Sequence, residues 1–427
     1  MDSVNKISIA SITRDSNSVV VRYTYGNTLA RYFRQDYMQV EYPMDSVDIP
    51  DSILVIPFVA NVLPIVWLTD AEVIIPELDA DFAECIPNVK LGYQEMFPNV
   101  KFAGKVNIGT IKHNRRDDPS KAAMFYSGGL DSVDTFVRHI DERPDLLSVW
   151  GSDIKYDNES GWDRVHSAVS YAAKRFSLNE YVVHSQFREF LNEGVLTNDF
   201  YPILHDSWWH GVQHGLGLLG HVAPLAYVNG YSRMYIASTF TTTAITCASS
   251  PLTDNMVRFV GCQVYHDGFE CTRQQKVANV VNYCKQRDIK FPLHVCWKSQ
   301  TGHNCGVCEK CLRTIAALLA EGVNPADFGF EDYLEKFAFG VHRRTIRISL
   351  FDDRLVGNNA EFWHQISERL KLGGAFESVD NTEVKRFLSW VRNFDFNDKR
   401  NWRLPLDFQV MGYLRRIKML ARRLIHL

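Results

Sequence analysis

The sequence predicts an α/β protein built around a parallel sheet with helices on both faces. Short apolar runs alternate with helical patterns over residues 122–320, and a glycine-bearing loop follows the first of these runs. Alternation of this kind is typical of a parallel sheet covered by helices. In such sheets ligands bind at the carboxyl ends of the strands, which is where the glycine-bearing loop falls.

Three regions of the chain differ in their pattern of apolar and polar residues. The 427 residues are also too many for one ordinary hydrophobic core. We predict an N-terminal α+β domain over residues 1–118, since residues 18–25 alternate apolar and polar side chains in places, as a strand does. Residues 119–328 form the predicted α/β domain, and residues 329–427 form a mainly helical extension. The polar run at 113–120 is the predicted linker between the first two regions.

The elements of the α/β domain are predicted from apolar runs and from helical periodicity. Strands are expected at residues 122–126, 146–150, 181–184, 234–237 and 292–295. Helices are expected at residues 132–139, 162–176, 272–287 and 311–320.

The apolar stretch at residues 53–68 predicts a buried strand followed by a short helix. It is short for a membrane span and contains Pro57, Asn61 and Pro64, which disfavour one. The first residues lack the basic and apolar regions of a secretory signal. We therefore expect a cytoplasmic protein without a membrane partner.

Composition and charge are those of a soluble globular protein. Hydrophobic residues make up 46% of the chain and charged residues 23%, both ordinary values for this class. The formal net charge is -3, so the chain has no general basic field that would attract a phosphate backbone. Nucleic acid is therefore disfavoured as the main partner.

The loop after the first strand combines two glycines, two hydroxyl side chains and one carboxylate. Its residues are Ser127, Gly128, Gly129, Leu130, Asp131 and Ser132. The glycines allow a sharp turn close to an anion, and the amides at the start of the next helix point toward that anion. Asp131 would repel phosphates unless a cation intervenes, so its presence indicates Mg²⁺. The loop lacks the Gly-Lys-Ser/Thr ending of a Walker loop.

Residues 127–132 resemble the PP-loop of the ATP pyrophosphatases, which include asparagine synthetase, GMP synthetase, tRNA thiolases and 7-cyano-7-deazaguanine synthase. The resemblance implies an adenine nucleotide alpha-hydrolase-like fold that binds Mg²⁺-ATP, with Ser127, Asp131 and Ser132 as catalytic residues. It implies that an acid attacks the α-phosphate, pyrophosphate leaves, and a nucleophile then displaces AMP. The loop would stabilise charge that develops on the leaving pyrophosphate.

Four of the nine cysteines crowd into residues 296–311 and predict a metal site. They are Cys296, Cys305, Cys308 and Cys311. Gly306 permits the turn of a Cys-x-x-Cys knuckle, and four thiolates suit a closed tetrahedral Zn²⁺ site with a structural role. An iron–sulfur cluster and free buried cysteines are the alternatives.

This cysteine spacing resembles that of 7-cyano-7-deazaguanine synthase (QueC), in which a similar run leads into a helix; here the helix starts as Cys311-Leu312-Arg313. The remaining cysteines form no Cys-x-x-Cys pair, which disfavours the sulfur transfer of the thiolases. The resemblance covers residues 122–320, about half of the chain.

Three further residues are candidates for substrate contact. Asp254 could pair with the guanine edge of a deazapurine, or cap a turn or helix. Arg313 could neutralise a substrate carboxylate or phosphate, or cap the zinc site. His210 and His214 could share a helix face; structural or substrate-contacting histidines are favoured over a metal pair, which would need a third ligand.

The regions outside the resemblance shift the expected product. A stand-alone QueC is little more than its catalytic domain, whereas this chain adds long regions at both ends. Extended QueC-like proteins occur in anti-phage operons (Qat and type IV CBASS), where the resemblance implies transfer of adenylated 7-carboxy-7-deazaguanine to a protein amino terminus. We therefore expect an ATP-dependent carbon–nitrogen ligase that modifies a protein from its own operon.

Two other functions stay open. The first is synthesis of 7-cyano-7-deazaguanine from ammonia, as in queuosine biosynthesis. The second is a nucleotide-binding scaffold without turnover, which the intact Asp131 disfavours. The basic amphipathic segment at residues 413–424 is expected to be a terminal helix docked on the body; contact with a partner protein, nucleic acid or an anionic membrane is the alternative.

Overall fold

The computed structural model describes residues 5–114, 119–242, 245–296, 298, 303–356, 359–373 and 379–402. These residues divide into two compact units. The first holds the described residues up to Thr272, and the second holds those from Arg273 onward. The first unit combines the strands of the N-terminal region with those of the predicted α/β domain. The segment at 413–424 lies outside the described residues.

The strands of the described residues form one 11-stranded sheet, which lies in the first unit. In chain order they are β1 (Lys6–Arg14), β2 (Ser18–Tyr25), β3 (Tyr37–Glu41), β4 (Glu72–Asp79), β5 (Lys105–Lys112), β6 (Lys121–Phe125), β7 (Asp145–Trp150), β8 (Glu180–Ser185), β9 (Tyr231–Ala237), β10 (Arg258–Phe259) and β11 (Cys262–Asp267). Their order across the sheet is β10-β11-β9-β6-β7-β8-β3-β2-β1-β4-β5. The predicted α/β class is confirmed, with a mixed and mostly parallel sheet.

Five neighbouring strands, β11, β9, β6, β7 and β8, are parallel throughout. From β6 the chain adds β7 and β8 on one side, then returns to add β9 and β11 on the other. The strand order therefore reverses between β6 and β9, and such a reversal leaves a crevice at the carboxyl ends of the two strands. β6 to β9 confirm four of the predicted strands. β7 is buried along most of its length, as a parallel strand with both faces covered should be.

The N-terminal strands extend this same sheet. β3 pairs antiparallel with β8, with Val40 opposite Ser185 and Glu41 opposite His184. Beyond β3 the sheet continues through β2, β1, β4 and β5. β2 alternates buried with more exposed residues, in agreement with the pattern predicted for residues 18–25.

Helices connect the strands of the first unit. They are α1 (Asp51–Leu54), α2 (Ile56–Thr69), α3 (Ala80–Met96), α4 (Leu130–His139), α5 (Glu159–Phe176), α6 (Glu193–Leu204), α7 (His214–Gly220), α8 (Val222–Asn229) and α9 (Pro251–Asp254). A π-helical turn, Trp209–Gln213, leads into α7. The helices predicted at 132–139 and 162–176 are confirmed by α4 and α5.

The apolar stretch at residues 53–68 is helical, so the predicted strand there is wrong. α1 and α2 cover it, and every residue from Ile56 to Trp67 is buried. Periodicity cannot separate a short buried strand from a helix that is apolar on all sides. Asn61 is accommodated by donating to the Pro57 and Gly217 carbonyls at 2.9 and 3.3 Å. Within the described residues, no helix has both the length and the apolar character needed to cross a membrane.

The second unit is helical as far as it is described. Its helices are α10 (Arg273–Arg287), α11 (Glu309–Ala320), α12 (Phe339–Val356), α13 (Asn359–Lys371) and α14 (Thr382–Asn393). α10 and α11 confirm the helices predicted at 272–287 and 311–320. The helices beyond residue 328 agree with the predicted helical extension.

The strand predicted at residues 292–295 is wrong, because this segment is irregular. The side chain of Asn304 takes the place of a neighbouring strand. It accepts from the Val295 amide at 3.0 Å and donates to the Leu293 and Gly329 carbonyls at 2.8 and 2.9 Å. Since one side chain satisfies these backbone groups, the apolar run does not need a sheet.

Candidate functional site

The loop predicted to bind ATP lies between β6 and α4, beside the reversal of strand order. Gly128 has a φ of +72°, a conformation that side chains disfavour. Gly129 is extended and precedes α4 without a side-chain capping hydrogen bond. Leu130, Asp131 and Ser132 form the first turn of α4, so their amides point out of the helix toward the loop at the positive end of its dipole. This backbone is arranged to receive an anion.

The two serine hydroxyls hold the loop in a closed turn. Ser127 Oγ and Ser132 Oγ lie 3.3 Å apart. Ser132 Oγ also donates to the Gly129 carbonyl at 3.0 Å and accepts from the Ser127 amide at 3.3 Å. Ser127 is exposed and Ser132 is buried, so Ser127 presents its hydroxyl to solvent.

Asp131 forms a hydrogen bond between the loop and the segment that follows β9, across the crevice. Its Oδ2 accepts a hydrogen bond from Thr239 Oγ1 at 3.2 Å. Thr239 follows β9, the strand next to β6 at the reversal of strand order. Both residues are partly exposed, so carboxylate and hydroxyl oxygens border the crevice. Thr239 is absent from the sequence candidates because nothing in its local sequence indicates this contact.

The far end of α4 is fixed by an ionic network. Arg138 donates to the buried Asp134 at 3.1 Å and pairs with Asp267 at the end of β11. His139 also bonds Asp267, at 3.0 Å. Burial would raise the pKa of Asp267, but His139 and Arg138 outweigh it and lower that pKa. The helix that presents the loop carboxylate is thereby held against the sheet.

A second cluster in the first unit joins Asp206, His210, His214 and Cys247. His210 Nδ1 lies 2.5 Å from Asp206 Oδ2. Both histidines are hydrogen-bonded to the Cys247 thiol, which is buried. Burial would raise the pKa of Cys247, but the two histidines outweigh it and lower the pKa to about 6. Hydrogen bonds with Asp206 and Cys247 raise the pKa of His210 to about 10. Both shifts favour a thiolate beside an imidazolium.

Segments that follow three strands meet at this cluster or at Trp209 beside it. The residue after the cysteine, Ala248, donates its amide to the His210 carbonyl at 2.7 Å, and it belongs to the segment that follows β9. The guanidinium of Arg188 lies 4.2 Å from the ring centre of Trp209 and donates to the Ser152 carbonyl at 2.8 Å. Arg188 and Ser152 follow β8 and β7. These segments follow the carboxyl ends of parallel strands, as the loop at residues 127–132 does.

Asp206 and Cys247 are functional candidates that sequence analysis missed. Asp206 lies one helical turn before His210, and this spacing is a local signal that could have found it. Cys247 lies on another segment and offers no such signal. The Cys247 thiol lies next to both histidines, but the cluster does not bring its ligand atoms together as a metal would require. Among the described residues, only the four cysteines of the second unit do so.

Asp254 is fully buried and orders the segment that follows β9. Ser249 Oγ donates to Asp254 Oδ2 at 2.6 Å, and His266 Nδ1 lies 2.9 Å from the same oxygen. The other oxygen, Oδ1, has no hydrogen-bond partner among the described residues. It is packed against Gly215, where a Cβ would lie 2.5 Å from it. These contacts favour the structural alternative over direct contact with a substrate.

The four cysteines predicted to bind zinc converge in the second unit. The sulfur atoms of Cys296, Cys305, Cys308 and Cys311 all lie within 4.8 Å of one another. The Cys296–Cys308 and Cys305–Cys311 pairs are each 3.9 Å apart. A tetrahedron with Zn–S bonds of about 2.3 Å has edges of about 3.8 Å, so the four thiols fit a metal such as zinc. All four are free of disulfides.

The knuckle of this site is built as its sequence predicts. Gly306 has a φ of +73°, so the turn between Cys305 and Cys308 is left-handed at that point. The Cys308 amide donates to Cys305 Sγ at 3.3 Å, a hydrogen bond that stabilises negative charge on sulfur. Cys308 then starts α11.

Arg313 is buried among the helices of the second unit. Its guanidinium lies 4.3 Å from the ring centre of Phe362 and donates to Asn359 Oδ1 at 3.2 Å. Its Nε lies 3.6 Å from Glu309 in the first turn of α11. These contacts favour the structural alternative for Arg313, in which it fixes the helix that starts at the cysteine cluster.

No protein-family model, curated protein or solved structure matches the chain. The chemistry of the two sites in the first unit is therefore inferred from their residues and from the sequence resemblance of residues 127–132.

Proposed function

We propose that this protein is an ATP pyrophosphatase that adenylates a carboxylic acid and passes the acyl group to an amine. One observation carries the proposal: the loop at residues 127–132 lies where the strand order reverses, and its Asp131 bonds Thr239 across the crevice. Ligands bind at such reversals in α/β sheets. Numbered along the chain, the five parallel strands stand in the order 3-2-1-4-5, which supports an adenine nucleotide alpha-hydrolase-like fold.

In the proposed reaction the loop binds the leaving phosphates of ATP. The amides of Leu130, Asp131 and Ser132 donate to phosphate oxygens, and the dipole of α4 adds to the stabilisation. An oxygen of the acid attacks the α-phosphorus, the bond to the bridging oxygen breaks, and pyrophosphate carries away the charge that the loop stabilises.

The oxygen atoms that border the crevice fit Mg²⁺, which prefers carboxylate and hydroxyl ligands. Asp131 would hold the ion, with the exposed Ser127 hydroxyl beside it. When bound, Mg²⁺ neutralises charge on the phosphates and so removes their repulsion by Asp131.

The acid that we propose is 7-carboxy-7-deazaguanine, and the amine is the amino terminus of a partner protein. The resemblance of residues 127–132 and of the cysteine spacing supports the deazaguanine acid. The large regions outside the parallel strands support a protein acceptor, since they offer surface on which a partner protein could dock. A partner protein encoded in the same anti-phage operon fits this proposal.

Release of pyrophosphate tests the proposal. With Mg²⁺-ATP and 7-carboxy-7-deazaguanine, the full-length protein is expected to form equal amounts of AMP and pyrophosphate. Asp131→Ala should lower the rate by about 100-fold or more, because the carboxylate that would hold Mg²⁺ against the phosphates is lost. Asp141→Ala is the matched control, since Asp141 is an exposed aspartate that follows α4. Its rate should equal that of the wild type.

Mass spectrometry of the products then identifies the acceptor. Added mass at the amino terminus of a partner protein supports the proposed ligase. Free 7-cyano-7-deazaguanine would instead show synthesis of the nitrile from ammonia. ATP binding without any pyrophosphate release, equal in wild type and Asp131→Ala, would overturn the proposal in favour of a scaffold.

A further inference from the structure

The Cys247 cluster takes no part in adenylation, yet it has the composition of a nucleophilic site. We propose that Cys247 accepts the acyl group from the adenylate as a thioester before the amine attacks, with His210 as its base and Asp206 as the residue that positions His210. The inference rests on the proposed function, because the acyl-adenylate is the donor.

The contacts give each residue of the cluster a distinct role. Nδ1 of His210 faces Asp206 at 2.5 Å, which leaves Nε2 for the hydrogen bond with Cys247. A base that is oriented by a carboxylate and bonded to a nucleophile is the arrangement found in acyl-transfer sites. His214 is a second hydrogen-bond partner of the thiol and adds to the stabilisation of a thiolate.

The other buried cysteines of the first unit show what a structural thiol is like. Burial raises the pKa of Cys85 to about 12, and it also raises the pKa of Cys262. These thiols stay protonated and inert at neutral pH. Cys247 is also buried, but its pKa is lowered because two histidines face it. Its environment is therefore that of a reactive cysteine.

The position of the cluster suits transfer from an adenylate. β6, which leads into the ATP loop, lies between β7 and β9 in the sheet. The segment that follows β9 carries Cys247, and the next residue, Ala248, donates to the His210 carbonyl. The segment after β9 also carries Thr239, which bonds Asp131 of the loop. One segment thus carries both Cys247 and the residue that bonds Asp131, and we infer that the adenylate would form within reach of the thiol.

The proposed step balances without a further reactant. The Cys247 thiolate attacks the acyl carbon, the carbon–sulfur bond forms, and AMP leaves with the electron pair of the broken carbon–oxygen bond. His210 holds the proton that the thiol has lost. The amine then attacks the thioester, the carbon–nitrogen bond forms, and the thiolate leaves. The proton lost by the amine goes to solvent.

The first test needs no acyl substrate. The full-length protein is treated with iodoacetamide over a range of pH, and peptide mass spectrometry measures alkylation of each cysteine. Cys247 is expected to react with a midpoint near pH 6, and His210→Ala and Asp206→Asn should move the midpoint upward. Cys271, a half-buried cysteine of the same unit, is the internal control. A midpoint near that of an ordinary thiol, or no reaction of Cys247, overturns the proposal.

The second test follows the acyl group. With Mg²⁺-ATP and 7-carboxy-7-deazaguanine, the acid-quenched protein should carry added mass on Cys247 that neutral hydroxylamine removes. Cys247→Ala should still release pyrophosphate in its first turnover, but it should form no adduct. Its transfer to a short peptide with a free amino terminus should slow by about 100-fold or more. Transfer by Cys247→Ala at the wild-type rate overturns the thioester.

The two tests separate this inference from the proposed function. If the wild type releases no pyrophosphate with this acid, the proposed adenylation fails, and the alkylation result alone decides whether Cys247 is a poised nucleophile. If pyrophosphate is released and no adduct forms on Cys247, adenylation stands and the thioester is overturned. His210→Gln should also raise the alkylation midpoint of Cys247. An unchanged circular dichroism spectrum of this variant would exclude a folding defect as the cause of that change.

Discussion

A single backbone angle at Gly128 sets the turn of the loop at residues 127–132. Its φ of +72° lies in the left-handed region, where a Cβ costs about 1–2 kcal/mol. The turn brings Ser127 back over the first turn of α4, where its hydroxyl meets that of Ser132. The residue at position 128 therefore controls whether the amides and hydroxyls of the loop face one anion.

Gly128→Ala is expected to lower the free energy of unfolding by about 1 kcal/mol and to slow pyrophosphate release, because alanine strains the left-handed turn. Denaturant unfolding and the pyrophosphate assay measure the two effects. Gly194→Ala is the control, since the nearest atom to its Cβ would be Asn192 Oδ1 at 4.0 Å. Gly194 lies in a helix, where alanine is favoured. An unchanged unfolding free energy for Gly128→Ala would contradict this role.

Residues of the sites could be predicted from the sequence where their partners are close in the chain. The loop at residues 127–132 is contiguous, and the four clustered cysteines lie within one short segment. Thr239 and Cys247 could not be found in this way, because their partners Asp131 and His210 lie on other segments that only the sheet brings near. Asp254 and Arg313 each had two interpretations from the sequence, substrate contact or a cap, and their burial favours the structural one.

At the scale of elements, the cysteine cluster determines where α11 begins. Cys308 precedes its first turn, and Cys311 lies within it. Trp363 of α13 donates to Glu309 Oε1 at 2.9 Å, so α13 packs against that same turn. A metal bound by the cysteines would fix these contacts, because the knuckle and the irregular segment at Cys296 have no sheet to hold them.

Loss of the metal is expected to unfold this part of the second unit. Cys308→Ser should remove one equivalent of zinc per chain, and it should lower the thermal midpoint, since zinc binding by four thiolates contributes about 10–16 kcal/mol to folding. Elemental analysis and thermal unfolding measure the two effects. Cys284→Ala, a buried cysteine of α10 outside the cluster, should keep the zinc. Equal zinc content in Cys308→Ser and wild type would refute the site.

Two elements show what periodicity leaves undecided. The stretch at residues 53–68 is apolar on every side, so nothing in its pattern separates a helix from a strand. The run at 292–295 looks like a strand, but Asn304 supplies its hydrogen bonds from a single side chain. Elements with mixed faces, such as α5, are predicted well because their apolar residues recur at helical spacing.

At the scale of the whole first unit, the N-terminal strands and the parallel strands share one hydrophobic core. Buried residues from Ile7 to Val264 belong to a single cluster. α2 packs closely on α7, where a Cβ at Gly220 would lie 2.6 Å from that of Ala60. The region before residue 118 is therefore an integral part of this unit, although the sequence suggested a separate domain.

Residues 119–427 alone are not expected to fold as the full chain does. Removal of the N-terminal strands exposes the edge of β8 and the surface of α7 that α2 covers. We expect the shortened chain to aggregate or to unfold without a cooperative transition, and size-exclusion chromatography with thermal unfolding measures this. The full-length chain is the control. A soluble monomer with a sharp transition at the full-length midpoint would contradict the shared core.

The pairing of β3 with β8 also sets an order of events while the chain is being synthesised. Glu41 and His184, which bond across this pairing, are 143 residues apart. A ribosome that adds about 5–20 residues per second takes roughly 7–30 s to cover this interval. Until β8 emerges, the free edge of β3 can pair with another nascent chain. Translation speed over this interval therefore affects the yield of folded protein.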